Sequence, residues 1–335
     1  MKKVRLGLIG CGGRLGAHTC NFNKIPEIEV VAVADPIEER RNRVAAQFGC
    51  KAYKDHTELY DNEKGNLDAV MICVDPTAHA DIELRAVELG LPFFVEKPMS
   101  VDLALCEKIL KAVTEKNILT SVGFQDRYQD LTEIMLEKMK GKRLGGLVYG
   151  SWVGGIPGVW WWQKKEYCAG QLVEQNIHLL DMLRYFYGEP LSVYATATRG
   201  MVTPGVDCSA EYDTDDHSTA VFRFNNNVTA TLVSGCYVKP GRGTRPRCGL
   251  YISMEDIVLD YRLRNNLIIE ENGIKTDIPR KEDQTYKLDR AFIDAIITGD
   301  RSLIRSDYAD AMKSLRLAFA ANESMESGQV IYFNN

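Results

Sequence analysis

Val4-Arg5-Leu6-Gly7-Leu8-Ile9-Gly10-Cys11-Gly12-Gly13-Arg14-Leu15-Gly16 is an apolar run that passes directly into glycines. Val4–Ile9 has the length and character of a buried strand. Glycines after such a strand let the backbone turn tightly and approach a pyrophosphate. A helix opening there presents unpaired N–H groups and a positive partial charge. The spacing Gly10, Gly12, Gly16 is one residue longer than the usual G-x-G-x-x-G, so the surrounding pattern has to support the reading. It does: residues 30–34 form a second apolar run that ends at Asp35. A carboxylate at that place accepts both ribose hydroxyl hydrogens of NAD and repels the 2′-phosphate of NADP, so NAD is the expected cofactor and NADP is disfavoured. Arg40 and Arg41 follow at helical positions expected to face solvent.

Outward from this point, residues 69–74, 93–95 and 119–123 are further short apolar runs, separated by helix-length segments at 37–48, 78–89 and 101–116. Strands alternating with helices imply right-handed crossovers and a doubly wound parallel sheet, the Rossmann arrangement, over residues 1–122. After residue 123 the pattern changes. Helices are expected at 131–138 and, strongly apolar, at 171–187. Strands follow at 192–198, 217–225, 228–236, 249–253, 257–261 and 265–270, then helices at 289–297 and 306–326. Asn225-Asn226-Asn227 has hairpin-turn composition. Residues 123–335 are therefore expected to form an α+β domain with a large, mostly antiparallel open sheet, serving substrate binding and oligomerisation.

Composition narrows the function classes. The chain has 335 residues, which favours two domains, and 41 Lys+Arg against 46 Asp+Glu give a formal charge of −5. That balance argues against a nucleic-acid partner, which requires clustered positive charge. No apolar run approaches the roughly 20 residues of a membrane helix, and the first residues lack a leader's cleavage site, so no membrane association is expected. The 9 cysteines are odd in number and form no C-x-x-C or Cys/His cluster, which predicts a reducing, cytoplasmic setting and no structural metal.

Phe94-Val95-Glu96-Lys97-Pro98, placed after the fourth main strand of such a domain, resembles the signature of the Gfo/Idh/MocA family of glucose–fructose oxidoreductase and inositol dehydrogenase. The resemblance extends through the glycine turn, Asp35, Asp75-Pro76-Thr77, Val122-Gly123-Phe124 and a histidine-bearing helix. It implies that Lys97 reaches the catalytic centre and that the Lys97–Pro98 bond is cis. It also implies cofactor contacts from Gly10, Gly12, Gly13, Arg14, Leu15, Asp35, Asp75, Pro76, Glu96, Lys97 and Gln125. In the second half, the stretch from Ala169 to Asp181 is similar to the family pattern G-G-x-x-x-D-x-G-x-H-x-x-D. His178 and Asp181 coincide with it; Glu174 stands for the aspartate, Ala169 for the first glycine and Asn176 for the later one. The longer Glu174 side chain puts its contact, and with it the substrate subgroup, in question.

The residues lead the same way. On one continuous helix, Gln171, Glu174, His178 and Asp181 fall within a roughly 80° arc, a polar stripe on an otherwise apolar helix. Such a stripe is either satisfied by partners or faces a wet cavity. Removing hydride from an alcohol carbon requires removal of the hydroxyl proton and a nearby positive charge. His178 suits the proton transfer and Lys97 the electrostatic role, with the reverse assignment left open because coupled groups cannot be apportioned from sequence. Glu174 is the third catalytic candidate, orienting Lys97 or binding an adjacent hydroxyl.

Substrate clues are fewer. Trp160-Trp161-Trp162, followed by Gln163-Lys164-Lys165, offers aromatic faces for sugar C–H surfaces and donors for hydroxyls. Trp161, Trp162 and Lys165 join Lys97, Glu174 and His178 as substrate candidates; the competing reading is an apolar loop buried against the sheet or a second subunit. Lys239, Arg242, Arg245 and Arg247 read as a solvated hairpin or intersubunit arm, and the acidic segment at 207–216 as a solvated turn. The expected function is an NAD-dependent sugar or polyol dehydrogenase acting on a ring hydroxyl or keto group, with a small carbohydrate as partner. The alternatives are an NAD-dependent glycoside hydrolase or lyase using transient oxidation, and a non-catalytic nucleotide sensor. A homodimer or homotetramer through the second sheet is expected.

Overall fold

A computed structural model describes residues 2–239 and 247–333. The first part alternates β1 (Val4–Ile9), α1 (Gly13–Thr19), β2 (Ile28–Ala34), α2 (Glu38–Phe48), β3 (Lys51–Tyr53), α3 (His56–Glu63), β4 (Ala69–Ile72), α4 (Ile82–Glu88), β5 (Phe93–Val95), α5 (Leu103–Glu115) and β6 (Thr120–Val122). The six strands are all parallel, in the order β3-β2-β1-β4-β5-β6. Strand order reverses between β1 and β4, and their carboxyl ends open the crevice in which such sheets bind ligands. All four residues of β4 are buried, as a strand covered on both faces requires. Asp55 and Asp102 cap α3 and α5 by accepting backbone N–H bonds from Glu58 and Leu105.

The second part contains α6 (Asp130–Met139), β7 (Leu147–Gly154), α7 (Lys165–Cys168), α8 (Gln171–Glu174), α9 (Ile177–Tyr187), β8 (Pro190–Thr198), β9 (His217–Phe224) and β10 (Thr229–Cys236). It continues with β11 (Gly249–Ser253), β12 (Ile257–Arg262), β13 (Asn266–Glu271) and β14 (Ile274–Pro279). Helices α10 (Gln284–Thr298) and α11 (Tyr308–Ser327) and strand β15 (Ile331–Tyr332) end the chain. Nine strands form one sheet, β14-β13-β12-β11-β7-β10-β9-β8-β15, antiparallel except where β10 pairs with β7. The asparagine turn joins β9 to β10, with Asn227 at φ 59°. One face of the sheet is core: Val148, Ala220, Phe222, Ala230, Leu232, Leu250 and Leu259 are buried.

Two compact units result, and they differ from a single cut at residue 122. The first comprises the chain up to Tyr128 together with Asp283–Met312; the second comprises Gln129–Glu282 and Lys313–Asn335. The reason lies in α10. Asp283 caps it, and its Leu288, Phe292 and Ile293 enter the Rossmann core beside Leu6, Leu8, Val33 and Phe94.

The expected continuous helix at 171–187 is broken at Gln175 and Asn176. The Asn176 amide donates to the Val233 carbonyl and to Ser234 Oγ on β10, so its side chain serves the sheet at the point where the helix interrupts. Gln171 likewise donates to the carbonyls of Trp152 and Gly235. The polar stripe calculated on an ideal helix therefore does not exist as such. Strands β3, β7, β14 and β15 lie outside the sequence expectation.

Candidate active site

In the first unit the glycine turn rests on the exit of β4. Gly10 has φ 87°, and a Cβ there would lie 2.4 Å from the Cys73 carbonyl oxygen. This position admits only glycine. Gly12 and Gly13 have no heavy atom within 4 Å of an added Cβ, so the turn leaves open space beside its backbone. The Cys11 N–H donates to Asp35 Oδ2 at 2.7 Å, and the Ile37 N–H to Oδ1 at 2.8 Å. Asp35 thus fixes the turn while each carboxylate oxygen keeps acceptor capacity for a ribose hydroxyl. An open glycine cradle next to a held carboxylate fits NAD. Leu15 is core, so only its backbone is available to a cofactor. Asp75 accepts from the Thr77 N–H and hydroxyl, shaping the loop after β4 that includes Pro76.

Arg41 departs from expectation: its guanidinium turns back to the carbonyls of Asp35 and Pro36 instead of pointing to solvent. Glu96 and Gln125, implied as cofactor contacts, are engaged by the protein itself. Glu96 Oε1 meets Arg14 at 2.7 Å and His18 Nε2 at 2.9 Å, and its Oε2 accepts the Lys97 N–H at 3.1 Å. Gln125 Oε1 accepts from Arg14 and from the Thr285 hydroxyl. His18 Nδ1 in turn meets Asp289 at 2.7 Å. Burial opposes charge on Glu96, but Arg14 and His18 outweigh it and hold the carboxyl down at about 2. Burial likewise opposes charge on His18, and Asp289 with Glu96 overcomes it, raising the imidazole to about 9. The Lys97–Pro98 bond is cis.

In the second unit, His178 on α9 stacks on Trp152 of β7, ring centroids 5.9 Å apart and planes at 20°. The Arg264 guanidinium lies over the Trp152 ring system, 5.6 Å from the ring centroid. Trp152 escaped the sequence reading because β7 did; the alternation in Leu147–Gly154 was the available signal. Glu174 accepts the Trp162 indole N–H at 3.1 Å. Trp162 is fully buried among Cys168, Val202, Tyr212 and Cys236, so it offers no face to a sugar and acts by holding Glu174. Trp161 packs against that cluster, while Trp160 is 64% exposed. Lys165 is no free donor either: its ammonium meets Glu326 at 3.2 Å and Asp215 at 3.5 Å. Asp181 accepts from the Ser314 hydroxyl at 2.7 Å, a packing role.

The remaining charged segments resolve in part. Asp216 is buried and accepts the N–H groups of Gly200, Met201 and Val202, so the acidic stretch is an organised turn and not a solvated one at that residue. Lys239 pairs with Asp207, and Arg247 lies over the Tyr251 ring and pairs with Asp260. Arg242 and Arg245 fall outside the described residues. Among the described residues no group of three or more His, Cys, Asp or Glu is arranged to hold a metal, and no helix is long and apolar enough to cross a membrane. All nine cysteines are unbridged.

Comparison with known proteins adds the following. Residues 4–124 match the family model described as an oxidoreductase family with an NAD-binding Rossmann fold, and residues 145–256 match the GFO/IDH/MocA C-terminal domain. The chain is 23% identical to myo-inositol 2-dehydrogenase of Thermotoga maritima over 96% of both chains. It is 23% identical to the NAD⁺-dependent scyllo-inositol 2-dehydrogenase of Bacillus subtilis, over 98% of this chain and 96% of that one. Its fold matches a levoglucosan dehydrogenase in complex with NADH and levoglucosan with TM-score 0.85 at 18% identity, covering 100% of both chains.

Proposed function

The chain belongs to the Gfo/Idh/MocA family of NAD-binding oxidoreductases, and from that premise we propose that it transfers hydride between nicotinamide and a ring hydroxyl or keto group of a sugar, sugar acid or polyol. The carrying observation is the lysine after β5, whose backbone is tied to a buried carboxylate within the domain that has the open glycine cradle. NAD supplies the hydride acceptor when bound. In the direction of oxidation the alcohol loses a hydride from carbon and a proton from oxygen, giving ketone, NADH and H⁺.

In this reading His178 takes the hydroxyl proton and Lys97 hydrogen-bonds the same oxygen, stabilising negative charge as it develops. Trp152 fixes the plane of the His178 ring by stacking. Glu174, held by Trp162, is the acceptor for a neighbouring hydroxyl. Gly10, Gly12, Gly13 and the Leu15 backbone face the pyrophosphate, and Asp35 the ribose. Arg14, Glu96 and Gln125 support that surface through one another, and Asp75 and Pro76 border it. The substrate class is supported by full-length similarity to two inositol dehydrogenases. We further propose that the chain works in the cytoplasm as a homodimer or homotetramer. In register across the sheet, Tyr194, Val221, Thr231, Tyr149 and Tyr251 line the face opposite the core, an aromatic strip suited to a second copy. Light scattering coupled to size exclusion reads this directly: a monomer at micromolar concentration contradicts it.

The function is tested by incubating the protein with NAD⁺ and, in turn, myo-inositol, scyllo-inositol, levoglucosan, aldoses and uronic acids, following NADH. Stoichiometric NADH with at least one compound supports the proposal. No NADH with any of them, in protein that binds NADH, contradicts it.

A further inference from the structure

Four buried or half-buried charges stand in line behind Lys97, and proton and hydride transfer do not use them directly. Arg14, Glu96, His18 and Asp289 touch in sequence at 2.7, 2.9 and 2.7 Å. The His18 and Asp289 side chains are 0% exposed and that of Glu96 5%. Buried charges cost several kcal/mol each unless well paired, and plain apolar packing would close this layer of the domain without them. Their arrangement ends at one point. The Glu96 carboxylate accepts the Lys97 N–H and is backed against Gly123, where an added Cβ would sit 2.6 Å from it.

We propose that His18 is a positioning residue for Lys97: bonded through one ring nitrogen to Asp289 and through the other to Glu96, it fixes the carboxylate that holds the Lys97 backbone, and does so as an imidazolium. A neutral ring has a single N–H and would turn a lone pair toward one of two carboxylates, so loss of the proton frees one end of the line. The groups facing the ring are Asp289 from α10, Glu96 from the end of β5 and, through Glu96, Arg14 of its own helix. Phe94 presents its ring at 5.1 Å. The Cys73 thiol beyond β4 stays neutral, because burial and then Glu96 push it well above the usual thiol range. With His18 raised to about 9, the device is intact at neutral pH and released in alkali. The hydride-transfer reading enters only in making Lys97 the residue whose placement matters.

Two measurements on the whole protein test this without turnover. The first is ring ¹⁵N NMR of the 5 histidines, with His18 identified by its absence in His18→Gln. An imidazolium that titrates near pH 9, with a midpoint lowered in Asp289→Asn, is expected; a neutral ring at pH 7 overturns the proposal. The second is amide hydrogen exchange of the peptide carrying Lys97. We expect roughly tenfold faster exchange in His18→Gln, the value of one charged hydrogen bond. Exchange unchanged in a folded variant overturns the proposal. If His18→Gln fails to fold, wild-type exchange decides: it should rise above about pH 9 beyond the intrinsic increase, and no extra rise overturns the proposal. Once a substrate is known, kcat should fall roughly tenfold in His18→Gln with substrate KM little changed. A protein that oxidises nothing but passes both measurements refutes the dehydrogenase reading and leaves the device standing.

Discussion

Glu96 precedes the lysine and Glu174 lies four positions before the histidine assigned to the chemistry, and an aromatic partner distinguishes the second from the first. Glu96 is buried and clamped by two cations, Arg14 and His18, which keep it ionised to about 2. Glu174 is half-buried and accepts a hydrogen bond from the neutral indole of Trp162. Around Glu174, Gln171 and Asn176 also work as neutral amides, donating to carbonyls of β7 and β10. The Rossmann unit thus sets its lysine by charge pairing. In the substrate unit an indole N–H on Glu174 and an indole ring stacked on His178 help to place the pair. Charge pairing resists displacement but depends on pH; neutral bonding depends on shape and the exact pairing of strands.

The largest effect that sharpens this contrast is expected from Lys97→Met. Removing the cation should lower kcat/KM by roughly 10³-fold, with NADH binding weakened far less, because the glycine turn and Asp35 are untouched. Turnover near wild type would break the assignment. Next comes Asp35→Ser, which removes the repulsion of a 2′-phosphate and should raise the NADP⁺/NAD⁺ ratio of kcat/KM by roughly 100-fold. An unchanged ratio argues against the ribose contact. Trp162→Phe keeps most of the buried ring but deletes the N–H to Glu174, so substrate KM should rise roughly tenfold while NADH affinity stays level. The same loss in NADH binding would show that the two regions are not separable in this way.

The smallest effect is in thermal stability against pH. His18 has its folded value raised to about 9 above the ordinary 6.5. Its contribution is complete below the ordinary value and fades as pH climbs through about 9. Glu96 is depressed to about 2 from 4.5, so its contribution is present above 4.5 and fades as pH drops through about 2. Melting temperature should therefore decline at both extremes, and Glu96→Gln should flatten the decline on both sides. A profile identical to wild type in that variant would show that the line of charges has no bearing on stability.

The Rossmann half was largely legible because its signals are local: apolar runs, glycines and Asp35 sit next to the turns they specify. Glu96-Lys97-Pro98 was legible as a motif, but the reason for Glu96 was not. Its partner His18 contacts Asp289, 271 positions along the chain, and no periodicity reports such a meeting. The break at Gln175 and Asn176 escaped for a similar reason, since helical spacing cannot foresee that a side chain will be claimed by β10. β14 is exposed along most of its length and so carries little apolar alternation. Trp162 looked like a binding surface because aromatic side chains serve cores and sugars equally well; burial decides, and burial is a property of the fold.

Whether Lys97 and His178 serve one reacting oxygen as a unit, as proposed, is read by a double-mutant cycle on kcat/KM with the best substrate. Lys97→Met and His178→Asn should each be severe. The double variant should be little worse than the worse single, because groups acting together are strongly non-additive. Losses that multiply would mean the two residues contribute independently and would contradict a shared reacting oxygen.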